Sequence, residues 1–251
     1  MHSRRYGVRT MLMTRPQCGM TLVELMVGSV ISLIALATVV TVYSTTARHA
    51  GRQLREADLR QQLYAISALL ATDLRRAGYW WFDPQLTPAS DNPFEKAGNR
   101  LRIGAIDQQP ADSCILYSYD LDADGLVGNG HCPQRGCGKL SDDDNVEQFG
   151  FRLKNGKVQS RYGGRTFRCD SGNWQTLTTG NVIIDSLHFT LHTDCINLME
   201  RGQDCQADMP SLEQHAVAFQ LKGHISRRDD IALDISRWVQ VRNDRLVEPR
   251  P

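Results

Sequence analysis

Residues 20–43 carry one charged side chain, Glu24, and no proline. At about 1.5 Å per residue, such a run forms a helix that spans a hydrocarbon core of about 30 Å. The first element of the fold is therefore expected to be a transmembrane helix. An acid near its start costs a few kcal/mol even on lenient insertion scales, which marks Glu24 as a functional residue. The bland alternative is a glutamate that snorkels to the membrane boundary and meets no partner.

Residues 1–19 carry Arg4, Arg5, Arg9 and Arg15 and no acid. A basic leader before an apolar run also describes a secretory signal. Here, however, the run exceeds the roughly 7–15 residues of a signal core, and no A-x-A-like cleavage site follows it. The small residue at a cleavable position is Gly19, ahead of the run, so cutting there leaves the membrane helix on the mature chain. Arg48, Arg52, Arg55 and Arg60 follow the run, so charge alone does not orient it.

The cysteines do. Apart from Cys18, all of them, Cys114, Cys132, Cys137, Cys169, Cys195 and Cys205, lie beyond the span. An even set without a C-x-x-C pair reads as disulfides in an oxidising compartment rather than as a zinc site. Six cysteines admit fifteen connectivities. Short separations favour Cys132 with Cys137 and Cys195 with Cys205, leaving Cys114 with Cys169. The leader then stays in the cytoplasm, in keeping with the retention of positive charge on that side. A formal charge of +1 over 251 residues gives no reason to expect a nucleic-acid partner.

Gly19-Met20-Thr21-Leu22-Val23-Glu24, between a basic leader and an apolar helix, resembles the class III signal of type IV prepilins and type II secretion pseudopilins. The resemblance implies that a prepilin peptidase cuts after Gly19 and methylates Met20, which stands where the family more often has Phe. Glu24 becomes the fifth mature residue, the position that family reserves for Glu. In a filament its carboxylate would pair with the N-terminal ammonium of a neighbouring subunit, two buried charges that neutralise each other and set register. Translation from Met1 or from Met13 fits the motif, the second with a shorter leader.

Leu59, Leu63, Ile66, Leu70, Leu74 and Ala77 recur at intervals of three or four on an otherwise charged stretch. With no proline from residue 20 to 78, one helix over residues 20–77 is expected, roughly 85 Å long. Gly78 suits the left-handed position after its end. "YWWFDPQLTPASDNPFEKAGN" reads as a loop, and its clustered Tyr79, Trp80, Trp81 and Phe82 are expected to close a core. "CILYSYD" has strand character, and "VEQFGFRLKNGKVQSR" alternates Phe149, Phe151 and Leu153 toward an Asn155-Gly156 turn. Leu187, Phe189 and Leu191 alternate, as do Val217, Phe219 and Leu221, and then Val239 and Val241. The expected fold class is α+β, an antiparallel sheet with one face covered by the helix stripe. The expected division is a leader at 1–19, a membrane or filament-core helix at 20–48, an amphipathic half at 49–78 and a β-rich disulfide-bonded head at 79–251.

"ILYSYDLDADG", "EQFGFRLKNG" and "VQVRNDR" resemble stretches of the PilW-type minor pilins. This implies an inner-membrane prepilin with a periplasmic head that passes into a type IV pilus at or near its tip. Its partners would be the prepilin peptidase, other major and minor pilins through the N-terminal helix, and a PilY-type adhesin. A J-type minor pseudopilin of type II secretion is the alternative. A membrane-tethered periplasmic enzyme or binding protein is a third reading, which the Gly19 signal counts against.

"DLDADG" has the D-x-D-x-D-G opening of a calcium loop, with Asp120, Asp122 and Asp124 and the Leu126 carbonyl as candidate ligands for Ca²⁺. His131 stands where an EF-hand has its bidentate Glu, and Asp142, Asp143 and Asp144 are candidates for the missing oxygens. The competing reading is an acidic, solvated turn. His188 and His192, four apart in a strand, are about 13 Å from each other and cannot chelate one metal. G-x-S-x-G, H-E-x-x-H and P-loop patterns are absent, so the chain is not expected to be an enzyme.

Overall fold

The computed structural model describes residues 19–128, 146–164, 166–200, 202–206 and 208–249. The chain divides into two units, Met1–Arg52 and Gln53–Pro251, with the boundary inside the helix α1 (Leu22–Leu74).

In the first unit, Thr21 caps α1. The Glu24 backbone N–H donates to Thr21 Oγ1 at 3.3 Å, which satisfies one of the orphan donors of the first turn. Beyond the cap the helix is long and apolar enough to cross a membrane, and none of its most apolar stretch is buried by protein. Its few polar side chains are satisfied from within. Ser29, Ser32, Thr38, Thr41, Ser44 and Thr45 each donate to a backbone carbonyl three or four residues earlier. A hydroxyl bonded in this way leaves no unmet donor, which is what hydrocarbon requires.

The second unit is built on the other half of α1. Its stripe Leu59, Leu63, Ile66, Leu70, Leu74 and Ala77 is buried, with Ser67 and Ala71 filling the same face. The helix stops at Leu74, three residues short of the expected end, and a turn carries the chain to Gly78 at φ +74°. The last carbonyls are not left open. Arg242 N–H donates to Arg75 O at 3.1 Å, and the Asn243 amide reaches Arg76 O and Ala77 O at 3.2 and 2.9 Å. These bonds provide the cap that a helix end needs when covered by protein.

Two antiparallel sheets meet this helix face, not the one sheet expected. The first has the order β1 (Arg102–Gly104), β2 (Cys114–Ser118), β3 (Gln148–Lys154), β4 (Lys157–Gly163), β5 (Asn173–Thr176). The second joins β6 (Val182–Asn197), β7 (Ser211–Ile225) and β8 (Arg228–Gln240), with β9 (Arg245–Val247) on the far part of β7. Alternation in sequence tells which face of a strand is buried but not which strand lies beside it, so the number of sheets was not legible. Asn155 and Gly156, at φ +52° and +67°, turn β3 into β4. Both sheets contribute to one core with the helix: Ile115, Tyr117, Phe151 and Val158 from the first, Leu187, Phe189, Val217, Leu221 and Val239 from the second.

β2 is buried on both faces. Ile115 and Tyr117 enter the main core, while Cys114 and Leu116 join a smaller cluster with Phe167 and Cys169 on the other side of the sheet. A disulfide joins Cys114 to Cys169, and another joins Cys195 to Cys205. The pairing expected for Cys132 and Cys137 lies outside the described residues. The loop before β5 is also held by guanidinium groups. Arg102 donates to Phe167 O, Arg152 to Cys169 O at 2.6 Å, and Arg161 to Gly164 O and Thr166 O at 3.0 and 3.1 Å.

Candidate functional site

Among the described residues, two places bring together groups that the sequence singles out. The first is the start of α1. Gly19 and Met20 precede the helix and are exposed, and Glu24 sits exposed in its first turn. Thr21 and Glu24 stand at the N-cap and third helical positions, the spacing of a capping box. The sequence reading gave Glu24 a role between subunits; the structure shows that its backbone also serves the cap.

The second is the loop after β2. Antiparallel pairing puts Ser118 opposite Gln148, so the next residues outward, Tyr119 and Asp120, run beside Glu147. Tyr119 N–H donates to Glu147 O at 3.4 Å. The chain then folds back around Asp120, with Ala123 and Gly125 in the left-handed region at φ +61° and +81°. Asp120 Oδ1 accepts from Ala123 N–H at 2.7 Å, and Oδ2 from Gly125 and Trp81 N–H at 3.0 and 3.1 Å. Glu147 closes the loop from the other side, accepting from Leu121 and Gly128 N–H at 2.8 and 2.9 Å.

This fold brings Asp120, Asp122, Asp124 and Glu147 together, with one carboxylate oxygen of each within 4.8 Å of the others. Asp120 and Glu147 are buried, at 1% exposure each. Burial pushes the Glu147 carboxyl up to about 7; the N–H groups of Gly128 and Leu121 oppose this, and the charges of Asp122 and Asp120 add to it. Asp122 is also raised, by burial first and by the charge of Asp124 next. Four acids so close repel one another, and a hard divalent cation that takes six to eight oxygens matches such a donor set.

Glu147 was missed in the sequence because the EF-hand rule directs attention to a fixed twelfth position. The signal was the strand pairing of "CILYSYD" with "VEQFGF", which brings Glu147 level with the loop. His131 and Asp142, Asp143 and Asp144 lie outside the described residues. Leu126 is 65% exposed and enters the loop through its N–H, which donates to Asp124 Oδ1 at 2.8 Å.

The aromatic run was misjudged. Tyr79 and Trp81 are 40% and 55% exposed rather than in the core. Tyr79 O accepts from Asp120 N–H, Trp81 N–H donates to Asp120, and Trp80, stacked on Phe82 at 4.4 Å, donates its indole N–H to Gly125 O. The run braces the acidic loop from outside. His188 and His192 do not meet: His188 is 2.9 Å from Asp112, and the His192 ring lies tilted against Trp238 with the ring centres 4.5 Å apart.

A long N-terminal apolar helix, a methylation-type signal at its start and an antiparallel β head on its second half define a pilin- or pseudopilin-type protein. Residues 14–40 match the prokaryotic N-terminal methylation motif, and residues 52–241 match the family described as prepilin peptidase-dependent protein B. The second match covers most of the chain, and the chain belongs to that family. An uncharacterized protein of Haemophilus influenzae is 30% identical over 108 residues, 41% of this chain and 45% of that protein. The chain thus spans about half the length of this curated relative. No solved structure matches.

Proposed function

We propose that this chain is a minor pilin of the type IV pilus, of the PilW kind. It is made as an inner-membrane prepilin with a periplasmic head, cut after Gly19, methylated at Met20 and assembled near the pilus tip. There it helps prime assembly with other pilins and supports a PilY-type adhesin. The observation that carries this reading is the split character of α1. Its first half is apolar and unburied, with its hydroxyls satisfied internally, while the second half buries a stripe in its own head. An unburied apolar half requires lipid or the apolar helices of other subunits.

Mass analysis of the mature N-terminus should find it at Met20, methylated, with the four leader arginines gone. An intact Met1 or Met13 terminus would overturn the prepilin reading. Glu24→Ala should insert into the membrane normally and be depleted from sheared surface fibres. Normal incorporation would sink the pairing role. Recovery of the chain from a periplasmic secretion pseudopilus, and not from surface fibres, would favour the J-type alternative.

The acidic loop is proposed as a Ca²⁺ site formed by Asp120, Asp122, Asp124 and Glu147, with the Leu126 carbonyl as a further candidate. Glu147 supplies the fourth carboxylate that the D-x-D-x-D-G run lacks. With the full chain in detergent after chelation, millimolar Ca²⁺ should raise the melting temperature. The gain is about 2.7 kcal/mol at a hundredfold excess over Kd. Mg²⁺ should do less, because it demands a tighter octahedral shell. Asp122→Ala and Glu147→Gln should both abolish the response while leaving the β signal intact. An unchanged melting curve with Ca²⁺ would leave the loop an acidic turn.

A further inference from the structure

The sheet of β6, β7 and β8 has a second face, and that face carries a groove. Side chains alternate across a strand, and Leu187, Phe189, Phe219, Leu221 and Ile235 commit one face to the core. The register sets the residues between them in two neighbouring rows on the opposite face. One row is His188, Gln220 and Ser236; the next is Thr190, Ala218 and Trp238. All six line a groove of about 430 Å³, within the roughly 300–1,000 Å³ usual for small-molecule sites. Thr190, Gln220, Ser236 and Trp238 are exposed, so the groove is open to solvent.

Trp238 dominates this surface. Its side chain is 58% exposed, yet it is not loose: across the small Ala216 and Ala218 of β7, the His192 ring lies tilted against it at 4.5 Å. His192 is not part of the lining, so the indole is braced from outside the groove that it lines. Two polar groups of the lining are held in the same way. His188 Nδ1 is 2.9 Å from Asp112 Oδ1, and the Gln220 amide donates to Asp234 Oδ2 at 2.8 Å, and neither acid lines the groove. With Asp112 accepting from Nδ1–H, the neutral imidazole keeps Nε2 as an acceptor, and Gln220 keeps its amide oxygen. The hydroxyls of Thr190 and Ser236 have no hydrogen-bond partner among the described residues. Uncommitted polar groups thus surround one fixed aromatic ring, an arrangement that lowers the ordering cost of binding.

A fitting ligand offers an apolar face to the indole and neutral donors and acceptors around its edge. A hard metal ion does not fit, because no carboxylate lines the groove. An anion finds one cation in the lining, Arg237, which by alternation belongs to the other side of β8, opposite Phe219. Asp112 and Asp234 behind the lining would repel it. A purely apolar group would strip water from the hydroxyls, the amide and the imidazole and leave them unpaired. A pyranose ring meets both demands. The C–H bonds on one of its faces are weakly positive and pack on the negative face of an aromatic ring, while each hydroxyl at its rim both donates and accepts. We propose that this groove binds a neutral pyranose unit of a glycan, stacked on Trp238 and hydrogen-bonded by His188, Thr190, Gln220 and Ser236. An open groove of this kind takes one unit of a longer chain. That chain belongs either to an N-acetylated cell-wall glycan or to a hexose-ended glycan on a target surface.

The test uses the full chain in a zwitterionic detergent, because alkyl glycoside detergents would themselves compete for the groove. Saturation-transfer NMR is run with chitotriose, lactose and mannotriose as probes and the acyclic sorbitol as control. At least one oligosaccharide should receive saturation, strongest on the C–H protons of one ring face, and sorbitol should receive none. Trp238→Ala should weaken binding by about tenfold or more, and Trp238→Phe, which keeps a ring, by less. Thr190→Val and Ser236→Ala should each weaken it about threefold. All four variants should keep the circular dichroism of the parent, since the altered side chains are exposed and outside the core. A preference for chitotriose assigns the groove to a cell-wall glycan, and a preference for lactose or mannotriose assigns it to a surface glycan. No transfer to any of the three sugars, undiminished transfer in Trp238→Ala, or tighter binding of adenosine monophosphate or sialyllactose than of every neutral probe would overturn the proposal.

Discussion

Replacing Cys114 and Cys169 together by alanine should lower the stability of the β-rich head by about 4 kcal/mol, a large share of the 5–15 kcal/mol typical of a folded domain. The bridge spans a separation of 55 residues, and the entropy that it removes from the unfolded chain grows with the logarithm of that span. The bridge joining Cys195 to Cys205 spans 10, so its loss should cost less, about 3 kcal/mol. The two also differ in setting. Cys114 and Cys169 are buried with Leu116 and Phe167 in the smaller cluster, whereas Cys195 lies on an exposed part of β6. Arg102, Arg152 and Arg161 continue to donate to the carbonyls of the loop when the bridge is absent. The variant should therefore keep its β signal and unfold cooperatively at lower urea. A loss below 1 kcal/mol would show that these donors, and not the bridge, fix the loop.

The helix was the most legible part of the chain because its two environments write different patterns. An unbroken apolar run marks the half that meets no head, and a stripe at intervals of three and four marks the half that does. Gly78 and Asn155-Gly156 were equally readable, since each occupies a left-handed position that few residues accept. β8 was harder. Val239 was read from its alternation with Val241, whereas Ile231, Leu233 and Ile235, which alternate on its inner side, follow the charged run at 227–230 and were not singled out. In the acidic loop, three of the four carboxylates were visible from spacing alone. Glu147 was not, because its place depends on the register of β2 against β3, a long-range pairing that no local motif encodes.

Raising the pH from 5 to 8 should destabilise the parent relative to Glu95→Gln by about 2–3 kcal/mol. Burial lifts the Glu95 carboxyl from 4.5 to about 7; Arg245 opposes the rise, Glu213 adds to it and Arg100 opposes it. An acid with a folded pKa above its unfolded value binds its proton more tightly in the native state. The resulting stabilisation is full below about 4.5 and is lost as pH climbs through about 7, where the native state must either ionise a buried group or hold its proton against the solvent. Glutamine has the shape of the neutral acid and does not titrate, so the variant escapes that loss. At pH 5 the two proteins should melt at similar temperatures, and at pH 8 the variant should melt several degrees higher. The comparison is a difference between two chains, so other titrating groups cancel from it. An equal gap at pH 5 and pH 8, measured by urea unfolding of the full chain in detergent, would mean that Glu95 is ionised throughout and has a counter-charge in solution.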